Sequence, residues 1–163
     1  MTPNTYETIL LDVFLTNQKR SQLIDAALAG TDVPAEDYPL YVIVGSEGPW
    51  TATGLADRLQ MPLTTVLFRV KRLERRGDAE RIANPDDGRS FLIRLTPKGR
   101  RHLKVARPRF RRAAEAVEAL LGDKAVEDLR TRLARLRDAI DTELSASARP
   151  ASRRAPAGAR ARP

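Results

Sequence analysis

Six side chains between positions 64 and 75 share one arc when each residue is turned by the ~100° of an α-helix: Thr64, Thr65, Phe68, Lys71, Arg72 and Arg75. None of them is acidic. Hydroxyls and a ring that can meet a thymine methyl suit the base edges of a duplex major groove, and the cations suit phosphate oxygens. The plainer reading is a solvated helix face, but such a face would mix acids with its bases and would not expose Phe68. Other chemistry lacks its parts. The 163 residues include no cysteine and one histidine, which removes disulfides, thiolate nucleophiles, Cys-ligated zinc and a His-rich metal site. No enzyme, cofactor or metal is therefore expected, and His102 is expected to be solvated on a basic helix.

Stepping outward, the elements that must position this arc are legible. The helix carrying it runs roughly from Pro62 to Arg76, and Leu63, Val66, Leu67, Val70 and Leu73 cover about 120° of its other side, the width of a core-facing stripe. A helix before it starts at the N-cap Thr51 and shows Leu55, Ala56 and Leu59 at core spacing; Gln60 and Met61 then turn into Pro62, a residue favoured at a first helical position. Such a pair is a helix-turn-helix, whose second helix enters the major groove. After Gly77, residues Glu80 to Ala83 and Phe91 to Leu95 read as strands joined by the turn formers Asn84 to Arg89. A helix-turn-helix followed by a hairpin is a winged helix. Arg89 sits at or near the wing tip, where a cation can enter a narrow minor groove, and Asp87 shapes the turn or orients Arg89. The expected DNA-facing set is Thr51, Thr53, Thr64, Thr65, Phe68, Arg69, Lys71, Arg72, Arg75, Asp87, Arg89 and Ser90.

The charge supports the same stretch. Of the net +8, residues 51 to 112 carry 17 Lys and Arg against 6 Asp and Glu, a local +11, whereas residues 1 to 50 carry 2 against 7. Residues 113 to 144 carry 5 against 8, and the tail beyond carries 5 against none. A positive field gathered on one segment is the footprint of a phosphate-binding surface, because each neutralised phosphate releases counterions.

The flanks read as helices. Asn4 with Glu7 suggests a capping box for a first helix reaching Ala29 and closed by Gly30, and Asp37 can cap a short, wholly apolar helix from Tyr38 to Ser46. Trp50 begins a short third strand of the wing; stacking on a ligand is the alternative. Thr96 and Pro97 start a long helix that Pro108 should kink and Gly122 should end. The last helix, capped by Asp123, places Val126, Leu129, Leu133, Leu136, Ile140 and Leu144 on a stripe that wants a partner, either the chain's own first helix or a second subunit. From Ser145 the Ala, Arg, Pro, Ser and Gly composition cannot offset its ordering entropy and should be disordered. No apolar run approaches the ~20 residues of a membrane span, and the start lacks the order of a signal peptide, so a cytoplasmic protein with no membrane partner is expected.

The run Arg72-Leu73-Glu74-Arg75-Arg76-Gly77, then Asp87-Gly88-Arg89 and Leu95-Thr96-Pro97-Lys98-Gly99, resembles in order and spacing the signature of the MarR family of bacterial transcriptional regulators. The close resemblance covers residues 50 to 99. Two positions depart from it: Pro62 stands where the family often has Ser, and Asp78 where it usually has an apolar residue. The resemblance implies a homodimer with a winged helix in each subunit. It further implies, as in many members, release from DNA when a small, often aromatic acid binds between the dimerisation and DNA-binding parts.

The expected fold is mainly α with a small antiparallel β wing: a winged helix-turn-helix flanked by N- and C-terminal dimerisation helices. The division is 1–33 N-terminal dimerisation helix, 34–100 winged helix-turn-helix, 101–144 C-terminal dimerisation helices and 145–163 disordered basic tail. The expected function is a sequence-specific transcriptional regulator, a homodimer on a pseudo-palindromic double-stranded DNA site, with a small aromatic or acidic effector as partner. The alternative is an architectural or protein-docking winged-helix module without a specific operator.

Overall fold

The computed structural model describes residues 8–147, which fall into two compact units, one up to Ala116 and one from Val117. In chain order the elements are α1 (Ile9–Leu28), a 3₁₀ turn (Ala35–Asp37), α2 (Tyr38–Ser46), α3 (Ala52–Leu59), α4 (Leu63–Arg75), β1 (Ala79–Ala83), β2 (Phe91–Leu95), α5 (Pro97–Leu121) and α6 (Asp123–Ser147). The fold class is the expected one, mainly helical with one small antiparallel ribbon.

Thr8 caps α1, its hydroxyl accepting the Leu11 amide hydrogen; the expected cap at Asn4 and Glu7 lies outside the described residues. Only Leu28 of α1 is buried, and Ile9, Leu10, Val13 and Phe14 stay exposed. α2 is the centre of the first unit: Leu40, Tyr41, Ile43 and Val44 are buried, as its all-round apolar sequence requires. Gly45 shows how close its neighbours come, since a Cβ there would lie 2.5 Å from a Leu103 methyl. Asp37 does not cap α2, contrary to expectation; its side chain makes no capping bond and is fully buried elsewhere, as described below.

α3 is capped by Thr51, which accepts the Gly54 amide hydrogen at 3.0 Å, and ends where Gln60 takes a left-handed conformation (φ 53°). Pro62 lies one residue before α4 rather than within it, and its carbonyl accepts the amide hydrogens of Thr65 and Val66. From α4 only Val66, Val70 and Leu73 are buried; Leu63 and Leu67, expected on the same face, are 42% and 41% exposed. The i, i+4, i+7 ridge is what fits into the core, and residues on its flank sit at the margin.

β1 and β2 pair antiparallel in the register Ala79↔Leu95 to Ala83↔Phe91. The third strand is reduced to one bridge, in which Trp50 and Ile93 exchange amide-to-carbonyl hydrogen bonds of 3.0 and 2.7 Å. Thr96 caps α5 as expected, accepting the Gly99 amide hydrogen, and α5 continues through Pro108. Gly99 is required there: a Cβ would fall 2.1 Å from the Asp78 carbonyl oxygen.

In the second unit, Gly122 (φ 80°) separates the end of α5 from α6. An Arg130–Glu118 ion pair of 2.7 Å spans this turn. No described residue of α6 is buried. Its helix reaches Ser147, past the expected boundary at Ser145, because Ser145 bonds back to the Asp141 carbonyl instead of ending the helix; the rest of the expected disordered tail lies outside the described residues.

Candidate nucleic-acid interface

The outward side of α4 presents Thr64, Phe68, Lys71 and Arg75, with Phe68 61% exposed and Thr65 half-buried beside them. The ridge Val66-Val70-Leu73 anchors this surface from below, so the helix offers its polar side to whatever lies outside. At the first turn of α3, Thr53 is exposed, whereas the Thr51 hydroxyl is occupied by its cap.

The wing tip is built by side chains that satisfy its own backbone. Asn84 accepts the Asp86 amide hydrogen and donates to the Ser90 hydroxyl, and the Asp87 carboxylate accepts the Arg89 amide hydrogen at 3.0 Å. Asp87 therefore shapes the turn, which leaves the Arg89 side chain exposed at its end. Ser90 is half-buried and folds back onto the Asp87 carbonyl. Phe91 is exposed at the start of β2, with the Arg81 guanidinium 6.0 Å from its ring centroid.

Two members of the expected set are placed differently. The Arg72 guanidinium turns inward to Glu36 at 2.6 Å and to Asp37 at 2.5 Å, and Arg69 donates to the Glu36 carbonyl. The hydrogen bond from Arg72 to Asp37 is the main reason its pKa is held above the usual arginine value. Residue spacing alone put Arg72 on the outer arc; the acidic link before α2 draws both arginines to the side.

A second cluster was not anticipated. Asp78 is fully buried. It accepts a 2.6 Å hydrogen bond from the Tyr41 hydroxyl and pairs with Arg76 at 3.2 Å and Lys98 at 3.8 Å. His102, expected to be solvated, is 17% exposed and stands 3.1 Å from Asp78 and 3.5 Å from Asp32. Burial by itself would raise the Asp78 carboxyl, but the Tyr41 and Arg76 hydrogen bonds, with the charges of His102 and Lys98, hold it below the usual aspartate range. Burial, then the Asp78 bond, pushes Tyr41 well above the ordinary tyrosine value. The one sequence signal for this cluster was the polar residue at position 78, out of place after a helix end.

Helix-turn-helix, ribbon and exposed basic arc define a winged helix-turn-helix protein. No family model matches the chain. It is 30% identical over 87 residues to the multiple antibiotic resistance protein MarR of Salmonella typhimurium, a match covering 53% of this chain; the chain thus spans 60% of the length of that curated relative. Among solved structures it resembles a probable transcriptional regulator from Pseudomonas aeruginosa, with 29% identity, a TM-score of 0.72 and coverage of 82% of this chain and 99% of the other. It also resembles a MarR mutant from Escherichia coli complexed with operator DNA, with 23% identity, a TM-score of 0.72 and coverage of 78% and 94%. The chain shares the winged helix-turn-helix fold of these proteins.

Proposed function

We propose that this protein is a sequence-specific DNA-binding transcriptional regulator that acts as a homodimer on a pseudo-palindromic site. The observation that carries the reading is the exposed Thr64, Phe68, Lys71 and Arg75 surface of α4 beside the exposed wing-tip Arg89. The Escherichia coli relative complexed with operator DNA supports the partner, and the fold supports the mode of docking. In this reading residues 34–100 bind DNA, 1–33 and 101–144 make the dimer, and the protein is cytoplasmic and not an enzyme. Support for the dimer comes from the apolar residues that one chain leaves uncovered, Ile9, Leu10 and Phe14 on α1 and Leu129, Leu133 and Leu144 on α6. Among the described residues no helix is long and apolar enough to cross a membrane.

A small acidic effector belongs to the same reading. Arg100, Lys104, Arg107 and Arg111 on α5 line a cavity of about 360 Å³ floored by Gly45 and Leu103. Its size and charge suit an aromatic carboxylate, whose ring would meet Leu103 and whose charge the guanidinium groups.

The exposed Phe68 also fits a protein-docking or architectural module, and the specificity ratio separates the two. Duplexes selected from genomic fragments and scrambled duplexes are titrated at several salt concentrations. A regulator prefers the selected site by ~10³-fold or more. Its affinity falls with a log–log salt slope of about −5 or steeper. A flat salt dependence overturns DNA binding; a steep slope without preference leaves the architectural module.

A further inference from the structure

α4 is fastened along one side to the link between α1 and α2. Arg69 donates to the Glu36 carbonyl, Arg72 to the Glu36 and Asp37 carboxylates, and Arg76 to the Asp32 carbonyl. Spaced i, i+3 and i+7, these arginines, two on α4 and Arg76 at its C-cap, fall in one row. The middle contact is the enclosed one. Asp37 is fully buried, its second carboxylate oxygen has no protein partner, and Arg72 Nε is likewise buried without one. A buried carboxylate with a single cationic partner holds that partner firmly, since separating them leaves an uncompensated charge. On its other side the Arg72 guanidinium lies 5.9 Å from the Phe68 ring centroid.

We infer that Arg72 is a positioning residue and not itself a contact to bases or phosphates. Through Asp37 and Glu36 it fixes the rotation of α4 about its axis and the place of the Phe68 ring, and so determines which base edges Thr64, Thr65 and Phe68 meet. This rests on the DNA-binding reading above. Base contacts are directional, so a rolled helix loses them, whereas contacts to phosphates by long exposed cations such as Lys71 and Arg75 survive. The acidic link thereby acts on sequence preference from a side chain that DNA cannot reach.

The test is a double-mutant cycle in the full chain, Asp37→Asn, Arg72→Gln and both together, with Lys71→Gln as the phosphate-contact comparison. Each protein is titrated against the selected and the scrambled duplex at several salt concentrations, and amide exchange over residues 63–75 is followed in the free protein. Expected for Asp37→Asn is a loss of preference of about 10-fold, with binding to scrambled DNA and the salt slope unchanged. Arg72→Gln does the same, the double variant is no worse than either, and exchange across α4 quickens equally in all three. Where Asp37→Asn fails to fold, Glu36→Gln, whose side chain is 58% exposed, and the conservative Arg72→Lys carry the comparison, with a smaller loss in the same direction. The inference is overturned if Arg72→Gln weakens both duplexes alike and flattens the salt slope by about one unit, as Lys71→Gln does, or if the two single effects add. Should the wild type bind no DNA, the functional reading fails separately, and amide exchange alone decides the fastening: unchanged protection in both single variants overturns it.

Discussion

α4 and α6 are both amphipathic helices with an apolar stripe, yet they end in opposite situations. Val66, Val70 and Leu73 of α4 have no exposure at all, while no described residue of α6 is buried and Leu133 keeps 41% of its surface. An apolar ridge records that a helix needs a partner; it does not record whether that partner lies in the same chain. α4 finds it within its own unit, against α3 and β1, so its other side is displayed in a fixed direction. No described residue of α6 is buried, so under the proposed function its stripe is the surface left for a second subunit.

The sharpest way to break this contrast is to remove the proposed partner of α6. Leu133→Glu with Leu136→Glu should convert the proposed homodimer to monomers in sedimentation and abolish preference for the selected site; an unchanged dimer would show that the stripe serves the subunit itself. For the inward ridge, Leu73→Ala should cost about 2–5 kcal/mol in denaturant unfolding, since it removes packed volume from a buried site. Leu133→Ala at the exposed stripe should cost far less in dilute, monomeric protein.

On the outward side of α4, Phe68→Ala should cost ~1–3 kcal/mol on the selected duplex and little on scrambled DNA. Arg89→Ala should weaken both and flatten the salt slope by about one unit. Equal loss on both duplexes for Phe68→Ala would make its ring a protein contact or part of the fold.

The smallest effect concerns the exit from α4. Because Asp78 is held ionised below the usual aspartate range, its contribution to stability is fully present above the unfolded value of ~3.9 and is lost as pH falls through the depressed folded value. Asp78→Asn should therefore flatten the decline of the urea midpoint on the acid side of pH ~4. An unchanged decline would move the acid sensitivity to other carboxylates.

Much of this was legible because it is local. Turn formers from Asn84 to Arg89, caps at Thr51 and Thr96, and the ridge of α4 all act over a few residues, and each appears where its chemistry requires it. Arg72 and His102 were misread for the converse reason. Their partners lie on other segments, Asp37 in the 3₁₀ turn before α2 and Asp78 in the link between α4 and β1, brought near only by the tertiary fold, and periodicity along one helix carries no record of that. Asp37 looked like a cap because the residue before an apolar helix often is one; burial beside Arg72 gave its charge a stronger partner.

The bridge between Trp50 and Ile93 also has a consequence in time. It joins segments on either side of α3, α4 and β1, so it closes a loop that contains the whole helix-turn-helix. Closing such a loop costs chain entropy that its two hydrogen bonds repay poorly unless the enclosed helices are already packed. The α3–α4 pair, whose contacts are short-range, forms early, and the bridge zips late. Since Trp50 is the chain's single tryptophan, its fluorescence is a natural clock for that last step: in stopped-flow refolding it should lag the helical circular dichroism signal.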